Sequence, residues 1–335
     1  MNVKMWAKAL QVIPRLTKEE WEKLDVVSRW LVSTRAAVLI MTFISAAIAG
    51  LFALQTGGTL NVGRWLLLAF GLIFAHAANN LLNDFTDFNR GVDRDNYFRT
   101  QYGPQPLEQG LMTRAELLTY AGFTGALALI PGLYLVLTSG PWAWLLLALG
   151  VIFVLFYTYP LKYIGMGEIA VILVWGPLMI GGGYYVLTGA WNWNVVLGSL
   201  PYALGTTMVI FGKHIDKIRA DQAKGIHTLP VLMGEKAARI TTLVMMALQY
   251  VFVIALVIRG FFSPVMLVVL LALTAVPQVW KIYSAPKPEQ EPAGYPPETW
   301  PLYFVAAAFV HNKRFGLWFL AGLLVQTLLH VFGVL

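Results

Sequence analysis

The chain has 335 residues, 58% hydrophobic and only 12% charged, with a mean hydropathy of +0.66. Soluble domains are roughly 25% charged and at most half apolar, so a water-soluble globule is excluded. Cysteine is absent, which removes disulfides, thiolate metal sites, cysteine nucleophiles and cysteine-linked lipid anchors.

Residues 1–29 are polar with scattered charges and read as a cytoplasmic amphipathic segment. No short apolar core with a cleavage site follows a basic start, so no cleavable signal peptide is expected. A membrane-crossing helix needs roughly 20 mostly apolar residues. Nine stretches qualify: 32–54, 64–82, 117–138, 143–160, 168–188, 195–212, 239–259, 262–280 and 315–335. They predict an all-α polytopic membrane protein whose residues 30–335 form one nine-helix domain. The long polar loops are 83–116 and 213–238, after spans two and six. That spacing hints at two four-helix halves plus one extra helix, although no sequence repeat is obvious. Residues 285–301 hold six prolines and read as an exposed flexible connector. Residues 302–314 read as a short amphipathic helix ahead of the last span.

Charge sets the expected orientation. With the N-terminus inside, 21 of the 24 Lys and Arg residues and all 17 acids lie on the inner side; Arg64 and Arg259 lie outside and Arg35 lies within span one. The positive-inside rule then predicts a cytoplasmic N-terminus, the C-terminus on the opposite side and both long loops cytoplasmic. Trp65, Trp142, Trp144, Trp191 and Trp193 gather at the outer boundary as an aromatic belt. The net charge of +7 is met by an anionic leaflet and needs no nucleic acid.

Two polar clusters interrupt this pattern. The first runs from Asn79 to Asp93 at the inner end of span two. Asn80, Asp84 and Asp87 share a helical face, as do Asn83 and Asp87. Acids at membrane depth are costly and mark sites inside a bundle, and oxygen-only donors suit a hard divalent cation such as Mg²⁺. The bland alternative is a solvated polar helix end. The second cluster runs from Gly212 to Pro230. It interleaves Asp216 and Asp221 with Lys213, Lys217, Arg219 and Lys224, cations suited to a polyphosphate; alternatively they are loop charges with internal ion pairs.

At these clusters the sequence resembles the UbiA superfamily of intramembrane prenyltransferases, nine-span bundles around a central cavity with aspartate-rich motifs after spans two and six. Asn83, Asp84 and Asp87 match the family's N-D-x-x-D-x-x-x-D. The next expected acid is Gly91, and Asp93 follows two residues later, a spacing similar to that of the dihydroxynaphthoate (menaquinone) branch. Asp221, Gly225 and Thr228 match the second motif, D-x-x-x-D followed by G-x-x-T; its first acid falls on Lys217, with Asp216 one residue earlier. The stretch Tyr157 to Tyr163 followed by Gly165 to Glu168, and Pro106, Leu107 and Gly110, also look like family segments, though Gln105 stands where an Arg is customary. Arg35 falls at the family's Arg-Pro, with Ala36 in place of Pro.

The resemblance implies Mg²⁺-dependent transfer of a polyprenyl group from an isoprenyl diphosphate to an aromatic acceptor through an allylic cation. It implies Asn83, Asp84, Asp87, Asp93, Asp216 and Asp221 around two Mg²⁺ ions. Asp87, Asp221, Asn83, Lys217 and Tyr157 are then expected at the chemistry. Arg35, Asn80, Arg94, Arg99, Tyr159, Lys162, Lys213, Arg219 and Lys224 are expected at the substrates. Phe85, Phe88 and Trp175 join the tyrosines as aromatic faces for the cation, or are helix packing. Asn80 sits near a metal or bonds a neighbouring helix; Glu168 positions substrate or caps span five; His214 touches substrate or is solvated. His311 to Arg314 read as an interfacial anchor. The bilayer is the expected environment, in a bacterial or archaeal plasma membrane, and no obligate protein partner is evident. The same fold serves other acceptors and terpene cyclisation. A cation-coupled transporter is disfavoured, because its ionisable groups belong near the midplane.

Overall fold

A computed structural model describes residues 2–57, 59–94, 103–295 and 299–334. All its regular elements are helical, and its chain divides into two units, Met1–Ala46 with Val62–Tyr159 and Ala47–Asn61 with Pro160–Leu335. The boundary between the units falls inside α4 (Ile40–Gly57), so they are not the two four-helix halves plus one extra helix that the loop spacing hints at.

In the first unit three short helices, α1 (Val3–Gln11), α2 (Lys18–Glu22) and α3 (Val26–Ser33), precede α4. Each starts at a side-chain cap. Asn2 accepts from Met5 N–H, Thr17 forms a reciprocal capping box with Glu20, and Asp25 accepts from Ser28 N–H. These contacts satisfy amides that a helix start leaves open. Asp25 also accepts from Asn2 N–H and the Trp6 indole. These bonds, that from the Ser28 backbone foremost, hold its carboxyl well below the usual carboxylate range. Trp21, Leu24, Leu31 and Val32 share one core with Ala77 and Leu81 of α5 (Val62–Asn89) and with Leu117 and Ala121 of α6 (Arg114–Thr138). Along α6, Phe123, Ile130 and Leu137 form an apolar stripe at seven-residue spacing that is 64–70% exposed, a face that water would penalise and lipid would not. α7 (Trp142–Phe156) completes this unit.

In the second unit α9 (Trp193–Asp216) is the most enclosed helix, with 78% of its apolar window buried. It packs on α8 (Gly167–Thr188), α12 (Glu235–Ile258) and α14 (Phe304–Val331). Glycine brings α8 close: a Cβ at Gly176 would lie 3.0 Å from Ala203 Cβ, and one at Gly181 3.0 Å from Val196, as small residues do between membrane helices. Residues Val174–Gly182 of α8 wind as a π-helix around Pro177. Proline has no N–H to give and its ring crowds the preceding turn, so the wider winding accommodates it. Two short helices, α10 (Ile218–Ala223) and α11 (Leu229–Met233), follow α9, and α13 (Pro264–Ser284) precedes the connector to α14.

Among the described residues, eight helices have the length and composition to cross a membrane, and the ninth apolar one, α7, has 15 residues. The expected nine spans thus hold only with that short helix counted. Several boundaries differ from expectation. α5 continues seven residues past the predicted span end, to Asn89, and α9 continues to Asp216, so both polar clusters begin on helix rather than loop. Residues 302–314 are not a separate amphipathic helix but the first turns of α14. His311 is fully buried there, 2.9 Å from the Tyr250 hydroxyl, and Asn312 is buried too; these two are interior contacts, not an interfacial anchor. The connector 285–301 is also less free than its prolines predict. Lys287 Nζ donates to the Pro301 carbonyl (2.5 Å), and the rings of Tyr295, Trp300 and Tyr303 lie within 6.4 Å of one another.

Candidate active site

The first polar cluster occupies the last turns of α5. Asn79 donates to the Val154 carbonyl (2.9 Å) and Asn80 to the Thr34 carbonyl (2.8 Å); Asn80 thus ties α5 to the end of α3. Asn83 Oδ1 accepts from the Thr158 hydroxyl (3.1 Å). Asp84 is buried and ion-paired with Arg35. Arg35 holds a left-handed backbone, φ 55°, a conformation rare outside glycine and common at functional sites. Asp87 is buried at 4% exposure and Asp93 at 3%. Arg90 lies over the Tyr159 ring, 3.3 Å from its centroid. Tyr157 is half-buried, Arg94 exposed, and Arg99 lies outside the described residues. Phe85 and Phe88 pack against the core that α1–α3 share with α5 and α6, which favours helix packing for them.

Why an expected acid is Gly91 follows from local geometry. Gly91 has φ 68°; its N–H bonds the Phe88 carbonyl (3.0 Å), and Val92 N–H bonds the Asp87 carbonyl (2.9 Å). This is the Schellman ending of a helix, which needs a left-handed residue at that position. The second cluster repeats it. Gly225 has φ 67°, its N–H bonds the Gln222 carbonyl (3.1 Å), and Ile226 N–H bonds the Asp221 carbonyl (2.9 Å). Asp87 and Asp221 therefore occupy the same position in two equivalent turns, Asp-x-x-x-Gly followed by a buried Val92 or Ile226. The two clusters thus share one turn geometry, although no sequence repeat is obvious.

In the second unit Asp221 is 2% exposed, with Oδ1 2.8 Å from Lys217 Nζ. Its Oδ2 is buried with no hydrogen-bond partner among the described residues. Asp216, one turn earlier, is directed elsewhere. Its Oδ1 accepts from Phe304 N–H (3.0 Å) and pairs with Lys287 (3.1 Å), and its Oδ2 accepts from Val305 N–H (3.0 Å). The carboxylate caps the start of α14 and is fully enclosed. Burial pushes the Lys287 ammonium down from its ordinary range, and the Asp216 charge pulls partly against this. Glu168, in the first turn of α8, is 2.5 Å from His214 Nδ1 and accepts from Leu229 N–H (3.2 Å). It binds the second motif to α8 and α9, and His214 is buried rather than solvated. Lys162 is buried with its ammonium 5.8 Å from the Tyr163 ring centre. Lys213 and Lys224 are half-buried and Arg219 is exposed.

Among the described residues no three His, Asp or Glu side chains converge as a preformed metal cage. Mg²⁺ does not require one, since it typically takes one or two carboxylates with waters and substrate phosphates. The orphaned, buried Asp221 Oδ2 and an all-oxygen donor set fit such an ion. Sequence reasoning missed Thr158 and Lys287. The first sits inside a recognised segment; the second, in a proline-rich connector, carries no local signal.

Residues 42–295 match the UbiA prenyltransferase family. The 1,4-dihydroxy-2-naphthoate octaprenyltransferase of Bacillus subtilis (strain 168) is 27% identical over 268 residues, 78% of this chain and 81% of that protein. The Escherichia coli (strain K12) enzyme of the same name is 28% identical over 222 residues, 63% of this chain and 70% of its own. Among solved structures, the apo UbiA homolog from Aeropyrum pernix K1 superposes with a TM-score of 0.65 at 18% identity, covering 86% of this chain and 98% of that one. The UbiA homolog from Archaeoglobus fulgidus bound to GPP and Mg²⁺ gives 0.60 at 16% identity, covering 88% and 99%. With three quarters of its length inside the family match, the two aspartate-bearing turns in place and its apolar helices suited to a bilayer, this chain belongs to the UbiA prenyltransferase family as an integral membrane transferase of prenyl groups.

Proposed function

We propose that the chain transfers a polyprenyl group from an isoprenyl diphosphate to an aromatic quinone precursor, 1,4-dihydroxy-2-naphthoate or a close analogue, in a Mg²⁺-dependent reaction. The observation carrying this reading is the pair of equivalent turns that bury Asp87 and Asp221 at the ends of α5 and α10. The naphthoate acceptor is supported by the names of the Bacillus and Escherichia relatives. Diphosphate and Mg²⁺ are supported by the ligands of the Archaeoglobus structures.

In this reading Asp87, with Asn83 and Asp84, would hold metal at the first motif and Asp221 would hold it at the second; when bound, it supplies Lewis-acid stabilisation of the departing diphosphate. Arg35 and Lys217 add positive charge for the headgroup, with Lys213, Lys224 and Lys162 near the same motifs. The allylic C–O bond breaks with its electrons passing to the diphosphate oxygen. An electron-rich ring carbon of the acceptor attacks the allylic carbon, and the ring proton passes to the released diphosphate or to water. Tyr157 offers a face to the allylic cation, while Arg90 already covers one face of Tyr159. Enclosure away from water limits its capture as an alcohol. The N-terminal segment 1–29 and both motif-bearing ends lie on the cytoplasmic side in this reading, with residues 30–335 as the catalytic domain.

The test is purified protein with Mg²⁺, labelled geranylgeranyl diphosphate and a panel of acceptors. Diphosphate release with a prenylated naphthoate is expected. Asp87→Ala and Asp221→Ala should each abolish turnover while keeping the helical content of the parent. Near-normal rates in both variants would overturn the assignment of the site.

A further inference from the structure

The second motif departs from its family pattern at one informative place. Lys217 stands where the resemblance puts the motif's first acid, and the nearby Asp216 does not replace it, because both its oxygens are taken up by the start of α14 and by Lys287. The motif's turn is thus built on a single available carboxylate, Asp221, and a cation.

That cation is placed by the backbone. At Lys217 (φ −123°, ψ 21°) the α9 helix ends and α10 begins, and Asp221 N–H bonds the Lys217 carbonyl (2.9 Å). This sets the two side chains four residues apart on one turn, with Nζ 2.8 Å from Asp221 Oδ1. Both are nine-tenths or more buried. An ammonium has three donors, and among the described residues Lys217 uses one of them, on Asp221 Oδ1. Asp221 Oδ2 accepts nothing among those residues. A buried pair with two spare donors and one spare acceptor is incomplete, and incomplete buried polar groups are costly. An anion with several oxygens, brought in with a cation, satisfies both deficits. Two aspartates in this turn would carry a charge of −2 and repel a diphosphate until metal arrived; the Lys–Asp pair is neutral. The other unit holds a buried cation–carboxylate pair of the same kind in Arg35 and Asp84.

We propose that Lys217 is a resident cation of the diphosphate site, binding the headgroup directly, so that part of diphosphate recognition is independent of Mg²⁺. This rests on the diphosphate reading given above and deepens it.

The experiment is calorimetric titration of the full-length protein in detergent with inorganic pyrophosphate and with the unreactive geranyl thiodiphosphate, each in EDTA and in Mg²⁺. The wild type should bind both probes in EDTA, more weakly than with Mg²⁺. Lys217→Gln should lose about ten- to a hundredfold of the EDTA affinity, the scale of one hydrogen bond to a charged group. Lys217→Arg should retain it. Lys217→Asp should bind only with Mg²⁺ and with steeper dependence on it. Matching circular dichroism and gel filtration for Lys217→Arg and the wild type exclude misfolding. Absence of wild-type binding in EDTA, or equal EDTA binding by wild type and Lys217→Gln, would overturn the proposal. So would EDTA binding of the geranyl probe without pyrophosphate, which would assign it to the apolar tail. No binding of either probe even with Mg²⁺ would instead sink the diphosphate reading itself.

Discussion

The substitution Asp216→Asn separates an anchor from a metal ligand. Asp216 accepts two amide N–H groups from the first turn of α14, where a helix has no acceptors of its own, and it also neutralises Lys287 at 3.1 Å. An asparagine offers one acceptor oxygen and turns its NH₂ toward the other amide, a donor facing a donor. The loss of one charge-assisted bond and the weakened Lys287 pair together come to about 3 kcal/mol. Lys287 keeps the carbonyls of Pro301 (2.5 Å) and Asp216 (3.3 Å), which holds the cost below that of an abandoned buried ammonium. In a chain of this size, about 3 kcal/mol is a fall of roughly 5 °C in melting temperature. Thermal unfolding in detergent reads it, beside the Mg²⁺ concentration that gives half-maximal activity. Asp216→Asn should melt early with that concentration unchanged, and Lys287→Met in the same chain should recover part of the loss. A variant that melts like the parent but needs far more Mg²⁺ would refute this account and return Asp216 to the metal.

Other consequences are local. A Cβ at Gly225 meets nothing within 4 Å, so Gly225→Ala carries only the left-handed backbone penalty, about 1 kcal/mol; amide exchange at Ile226 should quicken about fivefold, and less for Gly225→Asn. At Gly205 there is no such room: a Cβ would lie 2.7 Å from Gln249 Nε2 and closer still to Asn312, so Gly205→Leu should prevent a monodisperse fold, read by gel filtration. Acid should loosen the N-terminus. Because the Asp25 carboxyl is held below its unfolded pKa, its contribution is full above about pH 4 and fades as pH falls below that, through the folded value. Trp6 fluorescence should report this transition, and Asp25→Asn should remove it.

Hydropathy made the membrane helices legible, since twenty apolar residues in a row have few other uses. Polar spacing likewise placed Asn80, Asp84 and Asp87 on one helix. What stayed hidden depended on partners far along the chain. His311 and Asn312 beside Lys313 and Arg314 look interfacial until Tyr250, on a different helix, is found against His311. Asp216 and Asp221 both look like motif acids, and only the start of α14, nearly ninety residues on, tells them apart. Pro177 announces a disturbance in α8 but not its form, since a proline can kink, break or widen a helix; here the turn widens to a π winding.

The carboxylates of Asp84 and Asp87 lie in the last two turns of a 28-residue helix, at the pole where the backbone dipoles already leave negative potential. Like charge there is unfavourable by about 0.3–1 kcal/mol per group. Arg35, paired with Asp84, offsets part of this cost, and a cation bound at the first motif would offset more. Local rigidity and cation occupancy become the same variable, and the tip of α5 should stiffen as the site fills.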